Sequence, residues 1–145
     1  MLSPTPNTAP ERSYNRIANN SCYDLAYDRS KNRVYFTIHG YWKNAEAVPE
    51  LLADWDKALG QIHPGFTVII DMRSMITHPQ GLNKLHAEAQ QKVAASGVSK
   101  VANVMPTDKI ASLQVAEIIN CTNLPSKNFN SLPEAEEWLD HAAVS

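Results

Sequence analysis

Phe66-Thr67-Val68-Ile69-Ile70 stands between Pro64-Gly65 and Asp71-Met72-Arg73-Ser74. A short, unbroken apolar run bounded by turn residues marks a strand covered on both faces, and such strands belong to sheets with helices packed against them. The flanking sequence supplies the helices. Upstream, Val48, Leu51, Leu52, Trp55, Leu59 and Ile62 recur at helical steps, with Asp54, Asp56 and Lys57 on the opposite face. A first helix is therefore expected from near Val48, with Pro49 in its opening turn. Downstream, Thr77-His78-Pro79-Gln80 has capping-box spacing, Leu82, Leu85, Ala89 and Val93 form one stripe, and Gly97 closes a second helix.

Farther along, Val98 to Met105 reads as a strand ended by Pro106. A third helix starts near Asp108. Its apolar residues Ile110, Leu113, Val115, Ala116, Ile118 and Ile119 cover more than half its circumference, so it is either deeply buried or carries an exposed apolar patch. Lys127-Asn128-Phe129-Asn130 is a candidate for a last short strand. Ser131-Leu132-Pro133-Glu134 is a second capping box, opening a helix with Leu132, Ala135, Trp138 and Leu139 on one face. Toward the N-terminus, Tyr23-Asp24-Leu25-Ala26-Tyr27-Asp28 and Val34 to Ile38 flank the turn Arg29-Ser30-Lys31-Asn32 as a hairpin. Residues 1–21 hold Pro4, Pro6 and Pro10 and read as a disordered or loosely attached tail, leaving 22–145 as a single domain. The expected order is β-β-α-β-α-β-α-β-α, an α/β domain whose mixed sheet is antiparallel in the hairpin and parallel beyond it.

Composition narrows the partners. The chain has 145 residues and a formal net charge of -2, with 13 Lys and Arg against 15 Asp and Glu. That leaves no basic excess for nucleic acid, and no apolar run is long enough to anchor the chain stably in a membrane. The two cysteines, Cys22 and Cys121, lack metal or redox spacing and read as small buried hydrophobes, so a cytoplasmic location is expected.

Ligands of α/β sheets gather at the carboxyl ends of strands, which directs attention to residues 71–81. Asp71, Arg73, Ser74, Thr77 and His78 fall there, where a helix start offers N–H groups to an anion. Each also has a plainer role, as cap, turn residue or ion pair. Trp42, beside Tyr41 at the exit from the hairpin, either anchors a partner or lids the core. His39, His63, His78, His86 and His141 show no zinc spacing, and His39 and His86 read as satisfied or partly buried. The sequence has no nucleophile elbow and no phosphate-cradling glycine loop, so no metal and no cofactor is expected. The acidic run Glu134, Glu136, Glu137 and Asp140 reads as a solvated helix face.

The element order resembles the STAS family of sulfate-transporter and anti-sigma-factor-antagonist domains, in particular its stand-alone bacterial members. The resemblance is carried by the hairpin Tyr23 to Ile38, the strand Phe66 to Asp71 with its connection to Gly81-Leu82, and Asn128-Phe129 followed by Pro133-Glu134-Ala135-Glu136-Glu137-Trp138-Leu139. It implies a mixed sheet with helices packed against it. Regulatory members carry a phosphorylatable serine before a glycine, where this chain has Gln80-Gly81. The phosphoacceptor is therefore missing, and the resemblance implies a binding module for proteins, nucleotides or apolar ligands. The leading reading is a non-enzymatic protein-interaction or regulatory module, binding a protein partner or itself through Asp71, Arg73, Ser74, Thr77, His78 and Trp42. The alternative is a small-molecule or lipid-binding domain, with Met72, Met75 and Ile76 lining a pocket in 71–81 and Arg73 fixing an acidic group. A small hydrolase using Asp71, Ser74 and His78 comes third.

Overall fold

The computed structural model describes residues 14–76, 82–120 and 125–144. The hairpin forms as β2 (Tyr23–Asp28) and β3 (Arg33–Gly40), with Tyr23 opposite Ile38 and Asp28 opposite Arg33. Its turn closes on Asn32, which adopts a left-handed backbone at φ 52°. Asn tolerates that conformation better than most residues. Here its side-chain oxygen accepts from the Tyr27 hydroxyl at 2.8 Å and the His63 N–H at 3.0 Å, tying the turn to the segment before the next strand.

Beyond the hairpin, β4 (Thr67–Met75), β5 (Lys100–Val104) and β6 (Ser126–Phe129) each add in parallel, giving a six-stranded sheet in the order β1-β2-β3-β4-β5-β6. The helices are α1 (Leu51–Leu59), α2 (Asn83–Ala95), α3 (Lys109–Asn120) and α4 (Leu132–Val144). Local chemistry sets their ends. Asp108 accepts from the Ala111 N–H at 2.9 Å, the Ser131 hydroxyl accepts from the Glu134 N–H at 3.4 Å as half of the expected capping box and donates to the Glu134 carboxylate at 2.9 Å, and Gly97 sits at φ 87° just past α2, a conformation that favours glycine. The first helix begins at Leu51 rather than near Val48, and Val48 instead receives the Leu51 N–H at its carbonyl. Among the described residues no helix is long and apolar enough to cross a membrane.

Two differences from the sequence reading matter. Residues 14–19, placed there in the tail, form an edge strand, β1 (Tyr14–Asn19), antiparallel to β2. An edge strand is held by backbone bonds on one side and tolerates polar residues, so Asn15, Arg16 and Asn19 are exposed while Ile17 and Ala18 meet the core. The strand expected to end at Ile70 runs to Met75, because β3 continues beside it until Gly40 pairs with Met75.

Alternation along the strands builds two cores. Val34, Phe36 and Ile38 on β3, with Val68, Ile70 and Met72 on β4, face the side covered by α1, α2 and α3. Ile69, Ala102 and Val104 face the side covered by α4, where Ala135 and Leu139 meet them.

Candidate functional site

The site is framed by the carboxyl ends of β3, β4 and β5. Thr37 pairs with Asp71, but His39 pairs with Ser74, so β4 carries one extra residue between them. A regular strand sends residues three apart to opposite faces; this bulge returns Met75 to the same large core as Met72. Asp71, Arg73 and Ser74 therefore belong to a strand and not to a loop.

Asp71 and Arg73 hold each other. The Arg73 Nε donates to Asp71 Oδ1 at 2.9 Å and Nη2 to Oδ2 at 2.8 Å, a bidentate pair, while the Arg73 backbone N–H also reaches Oδ1 at 3.2 Å. The hydrogen bonds and charge of Asp71 push the Arg73 guanidinium above its ordinary pKa. By alternation from Met72, this pair lies on the face away from the large core, so Arg73 cannot fix an acidic group among the methionines. Ser74 is exposed, Thr107 donates to the Arg73 carbonyl at 3.4 Å, and Thr77, His78 and the Gln80-Gly81 dipeptide lie outside the described residues. The Asp71-Ser74-His78 arrangement of the hydrolase reading falls partly there too.

Trp42 has none of the exposure an anchor needs. It is fully buried, its Nε1 donates to the Cys22 carbonyl at 2.9 Å, and its ring stacks on His86 at 5.2 Å and meets Tyr23 at 5.9 Å. Tyr41 is the exposed member of the pair, at 56%. The two histidines read as satisfied are engaged: His86 is buried against Trp42, and His39, half-buried, lies 2.9 Å from Asp24. Among the described residues no three His, Cys, Asp or Glu side chains converge on a metal site.

Under the bulge lies a partly open cavity of about 40 Å³, lined from the sheet, α1, α2 and Val115 of α3. Met72 and Met75 line it, as the ligand-binding reading expected, and Ile76 is exposed instead. Trp55, His86, Gln90 and Asn103 also reach it. Asn103 is satisfied by donating to Asn128 at 3.2 Å, whereas the buried Trp55 Nε1 has no hydrogen-bond partner among the described residues. Elsewhere in the same core the Tyr23 hydroxyl donates to Asp54 at 2.6 Å. Burial first, and then Asp54, push the Tyr23 phenol far above its ordinary pKa. Asp54 was placed on the solvated face of its helix by periodicity; it is buried because Tyr23 reaches it across the sheet.

The opposite face holds residues that periodicity did not single out. Arg33 is 1% exposed, donating through Nε to Thr67 Oγ1 at 2.9 Å and through Nη1 to Glu136, with Asp140 2.9 Å away. Burial works against its charge, but the hydrogen bonds it donates to Asp140 and Glu136, with their charge, more than offset it and the net shift is upward. The Tyr35 hydroxyl donates to Glu136 at 2.9 Å, and burial followed by that carboxylate pushes the Tyr35 phenol far upward. Half of the acidic run, Glu136 and Asp140, therefore binds a buried guanidinium while staying partly exposed to solvent. The one signal in the sequence was an arginine opening an otherwise apolar strand.

The last feature is apolar. The exposed large hydrophobic residues among those described are Tyr41, Ile76, Ile110 and Leu113. Tyr41 follows β3, Ile76 follows β4 and donates its N–H to the Gly40 carbonyl at 3.0 Å, and Ile110 and Leu113 lie in the first turns of α3 after β5. All four thus gather at the same end of the sheet. The third helix, expected to be either buried or patch-bearing, buries Ala111 and Val115 and exposes Ile110 and Leu113.

No family model and no curated protein matches the chain. Among solved structures it is similar to an uncharacterized protein of the DUF3478 family with a SpoIIAA-like fold from Shewanella loihica. The two share 17% identity at a TM-score of 0.58, over 84% of this chain and 97% of that one. The chain has a SpoIIAA-like, that is STAS-like, fold.

Proposed function

We propose that the chain is a protein-interaction module of the STAS type, docking a protein partner at the carboxyl ends of β3, β4 and β5. One observation carries this reading: Tyr41, Ile76, Ile110 and Leu113 are all exposed, and all at that end. Scattered apolar residues on a surface need no explanation, but their confinement to one end among the described residues does, because contiguous apolar surface marks interaction sites. Arg73, half-exposed beside Asp71, and Ser74 add polar groups at the rim, the usual anatomy of a docking patch.

The test compares wild type with the Ile110→Ser/Leu113→Ser double variant. Each is tagged in its host, proteins retained are identified by mass spectrometry, and the oligomeric state of each purified chain is measured by light scattering. A protein or second copy retained by wild type and lost by the variant, at unchanged thermal stability, supports the reading. Equal retention by both, or none by either, overturns it.

A further inference from the structure

The outer edge of β6 lies across the sheet from β1, and among the described residues no strand pairs with it. Its backbone groups divide cleanly. The Val101 N–H donates to the Pro125 carbonyl and the Met105 N–H to the Phe129 carbonyl, both at 2.9 Å. Bonds of a parallel ladder fall on every second residue, so Lys127 and Phe129 turn their backbone groups toward β5, while Ser126 and Asn128 turn theirs outward. By the same alternation the Lys127 and Phe129 side chains point to the face of α4, opposite to Asn128, which meets Asn103. From α4 come Glu134, Glu137, Trp138 and His141, a stripe at helical spacing. Together these side chains line an open groove of about 410 Å³ along the edge, with the Phe129 and Trp138 rings 5.5 Å apart.

We propose that this edge and groove form a homodimer interface, in which two β6 strands pair antiparallel about a two-fold axis at Asn128 and join the two sheets. The axis is perpendicular to the sheet, so both α4 helices lie on one face. Three observations select a second copy in this register. First, an isologous interface must carry its own complement. Lys127 is a cation beside a groove whose carboxylates are Glu134 and Glu137, and the axis brings each lysine to the other groove. Second, the outward N–H and C=O of Asn128 bond their own copies across the axis, which makes Lys127 and the partner's Phe129 a close, non-hydrogen-bonded pair. A phenylalanine ring already seats this ammonium within one chain, at 5.5 Å. An axis at Lys127 would instead oppose two lysines. Third, α4 lies chiefly over β5, and in the joined sheet the two β5 strands stand three spacings apart, roughly 14 Å. Packed helices approach to about 8–10 Å, so a channel is left between the two α4 helices for the Phe129 and Trp138 rings of both copies. The β1 edge offers nothing comparable, because its register slips between Arg16 and Ala18 and such a bulge blunts an edge.

The experiment measures the mass of the full-length chain by sedimentation equilibrium from about 10 µM to about 1 mM, the range that suits a small, partly polar interface. A monomer–dimer equilibrium is expected. The Ile110→Ser/Leu113→Ser chain should dimerise as wild type does, which separates this contact from the docking end. Asn128→Pro removes the N–H that makes both central bonds, and the β5 ladder does not use that N–H, so the variant should be monomeric. Lys127→Glu serves if the proline variant does not fold. It should weaken the dimer at least about tenfold, and adding Glu137→Lys should restore most of the loss. Isotope-filtered NMR on mixed labelled and unlabelled chains should show contacts between Lys127 and the partner's Phe129. The proposal is overturned by a monomer at about 1 mM, by a dimer lost in Ile110→Ser/Leu113→Ser, by a dimer unchanged in Lys127→Glu, or by a charge-swapped double variant no tighter than Lys127→Glu.

Discussion

The two faces of the sheet are closed by different physics. Under α1, α2 and α3 the core is large and aromatic, with Tyr23, Phe36, Trp42 and Trp55 in mutual ring contact, and it retains a cavity and a donor without a partner. Under α4 the core is five small or medium residues, Ile69, Ala102, Val104, Ala135 and Leu139, bordered by Arg33, Tyr35, Glu136 and Asp140. Apolar packing is non-directional and leaves room that another molecule can use. A buried guanidinium demands its carboxylates at fixed positions and leaves none. The first face can change its contents, and the second sets where the last helix lies.

The largest effect should come from cutting the second face. Arg33→Ala removes the charge that Glu136 and Asp140 converge on and the donor to Thr67 Oγ1. Breaking a buried pair costs ~3–5 kcal/mol, and the partial exposure of both acids places this case at the lower end. Urea denaturation should show a loss of about 3 kcal/mol; a loss below ~1 kcal/mol would mean that α4 is held by Leu139 and Ala135 without the ions.

Next comes a matched pair of insertions. Ala135→Val adds two methyl groups to the tight face and should cost ~1–3 kcal/mol by overpacking. Ala89→Val adds the same groups beside the cavity and should change stability by less than ~0.5 kcal/mol, or raise it. Equal losses for the two, in the same denaturation measurement, would erase the distinction drawn between the faces.

A pH experiment tests both faces at once. Tyr23 on the first and Tyr35 on the second have phenols raised above the ordinary value of 10.0. The folded state therefore holds protons that the unfolded state releases above pH 10. Their contribution is complete below that pH and declines as pH rises toward the folded values, at up to about 1.4 kcal/mol per pH unit for each group. Stability measured from pH 9 to 11 should fall, and Tyr23→Phe and Tyr35→Phe should each flatten the decline. At neutral pH, Tyr23→Phe costs ~1–1.5 kcal/mol for the lost bond to Asp54, and Tyr35→Phe less, since Glu136 keeps Arg33. An unchanged slope in both variants would remove the phenols from the account.

What the sequence revealed follows the same division. Periodicity and capping boxes report on the apolar face of each element, so the helices, the hairpin and the strand at Phe66 were legible. Both methionines of the cavity were also found. Polar residues buried by contacts between elements leave no such trace: Arg33 meets Glu136 across about a hundred positions, and Tyr23 on β2 reaches Asp54 on α1. A single inserted residue in β4 is equally silent, because it changes pairing and not composition, and it turned Met75 to the same core as Met72. The edge strand β1 was missed because backbone bonds, rather than its side chains, hold most of it.

The smallest effect belongs to Arg73, where the two faces meet the rim. Its pair with Asp71 is bidentate and well aligned, which argues for more than a typical surface contact. Its side chain is 46% exposed, however, and two residues on one strand need little ordering to meet, so solvent and salt screen most of the gain. Arg73→Ala should therefore cost ~0.2–1 kcal/mol, a difference that shrinks further between 50 mM and 500 mM NaCl.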